Sequence, residues 1–379
     1  MHVFCYAITM KRFLLLLLVL MSCSHLPPAP SKPDPIPQVE EKPPRHSLTL
    51  LATGDNLLHE TILTSSPDYD FTPLYTKVKS LIESADLAFV NQETVMAGEK
   101  FGYSGYPRFN TPQTLAKTLA ETGFDIVNHA NNHAMDMGPD GLLSTMDLWD
   151  SMPGLVCIGV QRSEEKQHII TKNNIRLGFL AYTYGLNGFM LPKDKPWLVS
   201  LINREKMAED IDTLRPLCDF LIVSMHWGDE YDLEPSAAQL GLASFLAEHN
   251  VDLVIGHHPH VLQRFELLPR PDGKNTFCFY SLGNFVSHQR QKEKILGALL
   301  YVKFEKEDAE LSITDTGLIP VVSHFDQKYL NTSVFPLYSY TKELLNEHRN
   351  VWDKSMTMEY FYSALPRLQT NIILNNPFM

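Results

Sequence analysis

Short apolar runs recur along the chain, with segments of helical spacing between them, an alternation that belongs to α/β domains. Residues 48–53, 86–91, 124–128, 155–159, 168–171, 175–182, 220–226 and the run from Val251 read as strands. Helical periodicity covers 73–84, 112–122, 139–151, 203–215 and 235–249, with Thr111 expected to cap the second of these and Pro112 to open its first turn. The later runs 277–280, 298–304 and 311–322 read as strands of a more antiparallel kind, and 341–348 as helical. The expected fold class is therefore α/β with mixed sheets, two of them packed as a sandwich with helices outside. No internal repeat is present.

Polar residues gather where the apolar runs stop, and in open α/β sheets that edge is where ligands bind. The run from Val251 ends in His257, His258 and His260; on an extended backbone positions i and i+2 share a face, so His258 and His260 should point together and His257 elsewhere. Gly54 lets the first strand turn so that the Asp55 carboxylate projects over the sheet edge, although Asp at such a junction also serves as an ordinary turn former. His59 lies near enough to join it. Asn91 and Glu93 leave the next strand together, and a carboxylate there has two oxygens to span two cations; the plainer reading is a loop glutamate in solvent. After Asn128 come His129, Asn131, Asn132 and His133, where Asn132 offers a neutral oxygen and His133 a proton, followed by Asp136 and Gly138. His226 closes another strand, with Glu230 and Tyr231 on the same rim, though a lone histidine there is often a core residue. Oxygen and imidazole donors together suit Zn, Mn or Fe better than Ca or a thiolate metal. No serine-nucleophile elbow or phosphate-binding loop occurs, and Gly102 with Gly105 is too sparse for a dinucleotide fingerprint.

The segments before the first strand have a different character. Lys11-Arg12 followed by the apolar residues 13–20 has the form of a secretory signal, short for a membrane span. Leu20-Met21-Ser22-Cys23 resembles a bacterial lipobox, which makes Cys23 the expected lipidation site; an uncleaved anchor helix is the alternative. Met10 is the more usual start for such a signal. Residues 23–45 are crowded with proline and carry no core, so they are expected to be a disordered tether. A net charge of −12 argues against a nucleic-acid partner. Beyond Cys23 the cysteines are Cys157, Cys218 and Cys278, without paired spacing, and read as buried thiols.

Taken in order, Gly54-Asp55, Asn91-Gln92-Glu93, Asn131-Asn132-His133 with Asp136 and Gly138, His226-Trp227-Gly228, His258-Pro259-His260 and Tyr280-Ser281-Leu282-Gly283-Asn284-Phe285 resemble the CapA family, also called PgsA-like, which is associated with poly-γ-glutamate capsule synthesis. The resemblance covers 47–322. It implies a four-layer α/β/β/α sandwich of calcineurin-like metallophosphatase type with a dinuclear metal centre, a domain over 46–325, and an extension, 326–379, packed on it. By matching motifs, Asp55 and His260 would serve one ion, Asn132, His226 and His258 the other, and Glu93 would bridge them. His133, with Asp136, would protonate the leaving group. Tyr106, Arg108 and Asn284 would contact substrate, the loop 103–110 being equally readable as packing. Two departures stand out: Leu57 occupies the place of a phosphatase ligand histidine, and Glu93 that of an aspartate. The implied cofactors are two divalent ions (Mn, Fe or Zn), and the implied setting is the cell envelope, outside the cytoplasm, with the membrane reached through a lipid anchor. An anionic polymer such as poly-γ-glutamate and its membrane synthase are the expected partners. A non-catalytic assembly factor, or a phosphoesterase unrelated to capsule, are the competing functions.

Overall fold

The computed structural model describes residues 46–164, 168–308, 310–328, 332–349 and 353–378; the expected signal peptide, Cys23 and the tether lie outside them. Among the described residues, fourteen strands form two mixed sheets. The first contains β1 (His46–Asn56), β2 (Leu87–Gln92), β3 (Ile126–Asn128), β4 (Val156–Ile158), β11 (Asn284–Val286), β12 (Leu296–Glu307), β13 (Glu310–Phe325) and β14 (Thr332–Pro336), ordered β14-β13-β12-β1-β2-β3-β4 with β11 pairing β1. The second contains β5 (His168–Lys172), β6 (Ile175–Thr183), β7 (Phe220–His226), β8 (Leu253–His257), β9 (Phe265–Pro269) and β10 (Asn275–Phe279), ordered β5-β6-β7-β8-β10-β9. β1 to β4 are mutually parallel, as are β6, β7, β8 and β10, while β12, β13 and β14 pair antiparallel.

Alternate residues of each central strand go to different cores. Leu48, Leu50, Ala52, Leu87, Phe89 and Ile126 meet Leu177, Phe179, Phe220, Ile222, Leu253 and Ile255 between the sheets. Their neighbours Leu51, Ala88, Val90 and Val127 face Leu115, Leu119 and Trp149 of the helices Thr114–Thr122 and Gly138–Asp150. On the other side, Leu221, Val223, Met225 and Val254 face Met207, Ile211, Ala243 and Leu246 of Arg204–Leu214 and Ala237–Glu248. The layers are helix, sheet, sheet, helix. Burial on both faces is why the strands read as unbroken apolar runs, the pattern of parallel sheets covered by crossover helices.

Some local expectations change. The helical run 73–84 breaks into Thr72–Tyr75 and Lys79–Ser84. Thr111 does not cap the next helix, which starts at Thr114 behind Gln113; its hydroxyl instead meets that of Thr94 at 2.7 Å. Beyond Phe325, β14 pairs with β13, and Phe361, Leu365 and Leu368 are buried in the core between the sheets. Cys218 and Cys278 are buried free thiols and Cys157 is half-buried.

Candidate metal centre

Because β1 to β3 in one sheet and β6 to β8 in the other run parallel, their carboxyl ends bring polar residues to one edge. Asp55, Asn91 and Asn128 are lateral neighbours in β1, β2 and β3, and their side chains form a ladder. Asn91 Nδ2 donates to Asp55 Oδ1 at 2.8 Å, and Asn128 Nδ2 donates to Asn91 Oδ1 at 2.8 Å and to Ser224 Oγ of the other sheet at 3.3 Å. Opposite them, His226 and His257 are neighbours in β7 and β8. Asp55 Oδ2 accepts from His260 Nδ1 at 2.9 Å and from the His258 backbone N–H at 3.2 Å. Glu93 Oε1 lies 3.6 Å from His260 Nε2 and 3.7 Å from His226 Nε2, and that same His226 nitrogen is 2.9 Å from Asn132 Oδ1. Ligand atoms of Asp55, Glu93 and His260, and of Glu93, His226 and His258, lie within 4.8 Å of one another.

Backbone contacts hold the two sheet edges together at this place. Between β10 and β11, Leu282 N donates to the Gly256 carbonyl of β8 at 3.1 Å, and the Leu282 carbonyl accepts from Ala298 N of β12 at 3.0 Å. One residue later, the Gly283 carbonyl accepts from Asp55 N at 2.9 Å. A Cβ on Gly54 would stand 2.0 Å from the Gly283 oxygen, so only glycine permits this approach.

The residues fit a cation. Glu93 is fully buried and neither of its carboxylate oxygens has a hydrogen-bond partner; His226 Nδ1 and His258 Nδ1 are likewise buried and unpartnered. Burial pushes the Glu93 carboxyl well above its usual range despite the pull of His260, with Asp55 and Glu230 adding to the rise. Burial also acts to raise Asp55, but the imidazoles of His257 and His260 outweigh it and hold that carboxyl well below its usual range. His226 is held well below the usual imidazole range by burial and by the charge of His258, and His258 is lowered to about 4 by burial and His260. Neutral imidazoles beside an unpartnered carboxylate are what a divalent transition metal takes as donors. His260 differs: burial would lower it, but Glu93 and Asp55 raise it to about 9.

Next to this group, His133 Nδ1 pairs with Asp136 Oδ2 at 2.8 Å, and the same oxygen accepts from Phe109 N at 2.7 Å. The Asp136 carbonyl accepts from Arg108 Nε at 2.8 Å. Phe109 packs edge-on against His133, with centroids 4.7 Å apart.

Residues 49–289, more than half of the chain and the part that carries every candidate ligand, match the family model described as bacterial capsule synthesis protein PGA_cap. The chain belongs to this family. Among its relatives, capsule biosynthesis protein CapA of Bacillus anthracis is 27% identical over 282 residues, covering 71% of this chain and 66% of that protein. PGA biosynthesis protein CapA of Bacillus subtilis (strain 168) is 33% identical over 183 residues, 47% of each. The chain thus spans less than two thirds of these relatives' length. Solved structures give likenesses of fold alone: calcineurin-like phosphoesterase YfkN from Bacillus subtilis (16% identity, TM-score 0.45, 86% of this chain, 100% of that one) and a novel phosphatase of Mycoplasma pneumoniae (16%, 0.43, 73% and 94%).

In this family member the motif residues Asp55, Glu93, Asn132, His226, His258 and His260 come together, and others take different places. His257 does not face elsewhere: its Nδ1 lies 3.5 Å from Asp55 Oδ1 and its ring stacks on Phe89. The alternation rule fails because β8 ends at His257, and His258 (φ +94°) and His260 (φ +58°) sit in a left-handed turn, not on an extended strand. Asn91 commits both amide atoms to Asp55 and Asn128, which makes it an orienting residue. His59 pairs with the Leu57 carbonyl at 3.2 Å, is lowered to about 4 by burial and then by His260, and stands outside the ligand groupings. Leu57 is buried and brings no donor. Tyr106 is 77% exposed, Arg108 is turned onto Asp136, and Asn284 is fully buried, its amide donating to the His260 carbonyl at 3.2 Å and the Lys294 carbonyl at 2.9 Å. Asn284 therefore supports the histidine turn from behind. His129 is a core residue that accepts from Trp149 Nε1 at 2.8 Å. Sequence reasoning missed Tyr184, whose ring lies 4.6 Å from that of His258, and Asn187, whose Nδ2 lies 3.3 Å from His133 Nδ1 and whose Oδ1 accepts from Asn132 at 3.2 Å. Both follow the carboxyl end of β6, the same layout that revealed the others.

Proposed function

We propose that this chain is a dinuclear metal-dependent hydrolase of the cell envelope, acting on a phosphoester or related bond in the synthesis, export or anchoring of a capsule polymer such as poly-γ-glutamate. The observation that carries this reading is Glu93: a buried carboxylate with both oxygens unpartnered, close to His226 and His260 and grouped with His258. Asp55, Glu93 and His260 would hold one ion, and Glu93, Asn132, His226 and His258 the other. When bound, such a pair acidifies water and stabilises charge on the oxygens of a scissile phosphoester. The chain's own part is to orient and to move a proton. Asn91 and Asn128 fix the Asp55 carboxylate, and Asp136 takes the Nδ1 side of His133, leaving Nε2 to carry the proton to the departing oxygen.

The signal-like N-terminus and Cys23 support an outward-facing, lipid-anchored protein, and the acidic net charge of −12 supports a partner other than nucleic acid. No helix among the described residues is long and apolar enough to cross a membrane. The competing reading, a non-catalytic factor that holds polymer or synthase, is favoured by Leu57, which withholds a donor. Elemental analysis of the full-length chain in detergent, with turnover of an aryl phosphate, separates the two. The hydrolase reading expects about two ions per chain and turnover that Glu93→Ala abolishes. A metal-free wild type, or turnover indifferent to Glu93→Ala, sinks it.

A further inference from the structure

Beyond His226 the chain bends back on itself, with Gly228 at φ +84° and Tyr231 at φ +74°. Tyr231 N donates to the Pro259 carbonyl at 2.8 Å, and its ring lies 6.1 Å from that of His260. These contacts tie the segment carrying Glu230 to the turn that carries His258 and His260. As a result, a Glu230 carboxylate oxygen and ring nitrogens of both histidines lie within 4.8 Å of one another. His258 also groups with Glu93 and His226, and His260 with Asp55 and Glu93, so Glu230 reaches one imidazole from each set. A nitrogen of His258, Nδ1, is buried there without a partner. Meanwhile Leu57, where the phosphatase pattern has a histidine, is 3% exposed and has no donor atom to offer.

We propose that Glu230 is a ligand of the metal centre, supplying from its solvent side the donor that Leu57 does not. This inference rests on the dinuclear reading above. Glu230 is exposed, unlike Asp55, Glu93, His258 and His260, so it closes the centre from outside and its substitution leaves the core packing intact. Its neighbour Asp229, also exposed, is the matched control, since it carries the same charge at nearly the same place but joins none of the ligand groupings.

The test is titration of the full-length protein in detergent with Mn²⁺, followed by calorimetry and by electron paramagnetic resonance, for wild type, Glu230→Gln and Asp229→Asn. Thermal unfolding of each in EDTA checks the fold. Wild type and Asp229→Asn should take up Mn²⁺ alike, and Glu230→Gln should lose at least about tenfold in affinity for one ion, with a changed resonance spectrum. Should Glu230→Gln titrate like Asp229→Asn, the role of Glu230 is overturned and the dinuclear reading stands. If wild type takes up no Mn²⁺, both fall together.

Discussion

At Glu93 the fold buries a carboxyl group that makes no hydrogen bond, a condition that costs about 1–3 kcal/mol wherever no cation offsets it. Function and stability therefore pull apart at this residue. Glu93→Gln should raise the unfolding temperature of metal-stripped protein and lower that of metal-loaded protein, and calorimetric scans with and without chelator check the crossing; parallel shifts would contradict it. His133 belongs to a different task. With Asp136 fixing its Nδ1, His133→Ala should cut aryl phosphate turnover by about 10²–10⁴-fold and leave metal content as it was, which single-turnover assays and elemental analysis together establish. The clustering of the candidate ligands was legible because they follow the ends of apolar runs. His257 was misplaced because a left-handed turn at His258 breaks the two-residue alternation. Asn128 and Asn187 could not be weighed from sequence, since an asparagine that bridges two sites looks the same as one that makes a turn.

At the scale of elements, the close passage of β1 behind Gly283 leaves no room for a methyl group. The atoms a new Cβ would meet at Gly54 are main-chain ones, which cannot swing aside. Gly54→Ala should cost about 1–3 kcal/mol or more, read as a lower denaturation midpoint in urea, and should weaken metal uptake because Asp55 follows directly. A midpoint equal to wild type would count against this packing. The strands themselves were visible in the sequence because both of their faces are apolar. Helix ends were less so. Thr111 carries the signature of a cap, yet its hydroxyl is claimed by Thr94, a tertiary contact that local pattern does not encode. The antiparallel strands near the C-terminus were seen, while β9 and β14, short and partly exposed, were not.

Across the whole molecule, the sheets are also clasped away from the candidate metal centre, at the opposite ends of the strands. Asp219, just before β7, takes the Arg176 guanidinium at 2.8 Å and the Lys306 ammonium of β12 at 2.8 Å. Burial would raise this carboxyl, but the hydrogen bonds from Arg176 and Lys306 hold it at about 2. Because the folded value is depressed, the stabilisation is fully present above the ordinary carboxylate range, near 4, and is lost as pH falls toward 2. The gap in melting temperature between wild type and Asp219→Asn should thus be widest near neutral pH and close in acid; a gap that stays constant down to pH values of about 2 would rule the clasp out as a source of acid sensitivity.

The stitch through Leu282 and Gly283 gives these ends a common consequence. Peptide groups, whose reach is set by covalent geometry, fix how far the Asp55 side of the cleft stands from the histidine side. The scaffold therefore sets the spacing of its candidate donors during folding, so a cation arriving late would find the seat already shaped, and one leaving would not take the architecture with it.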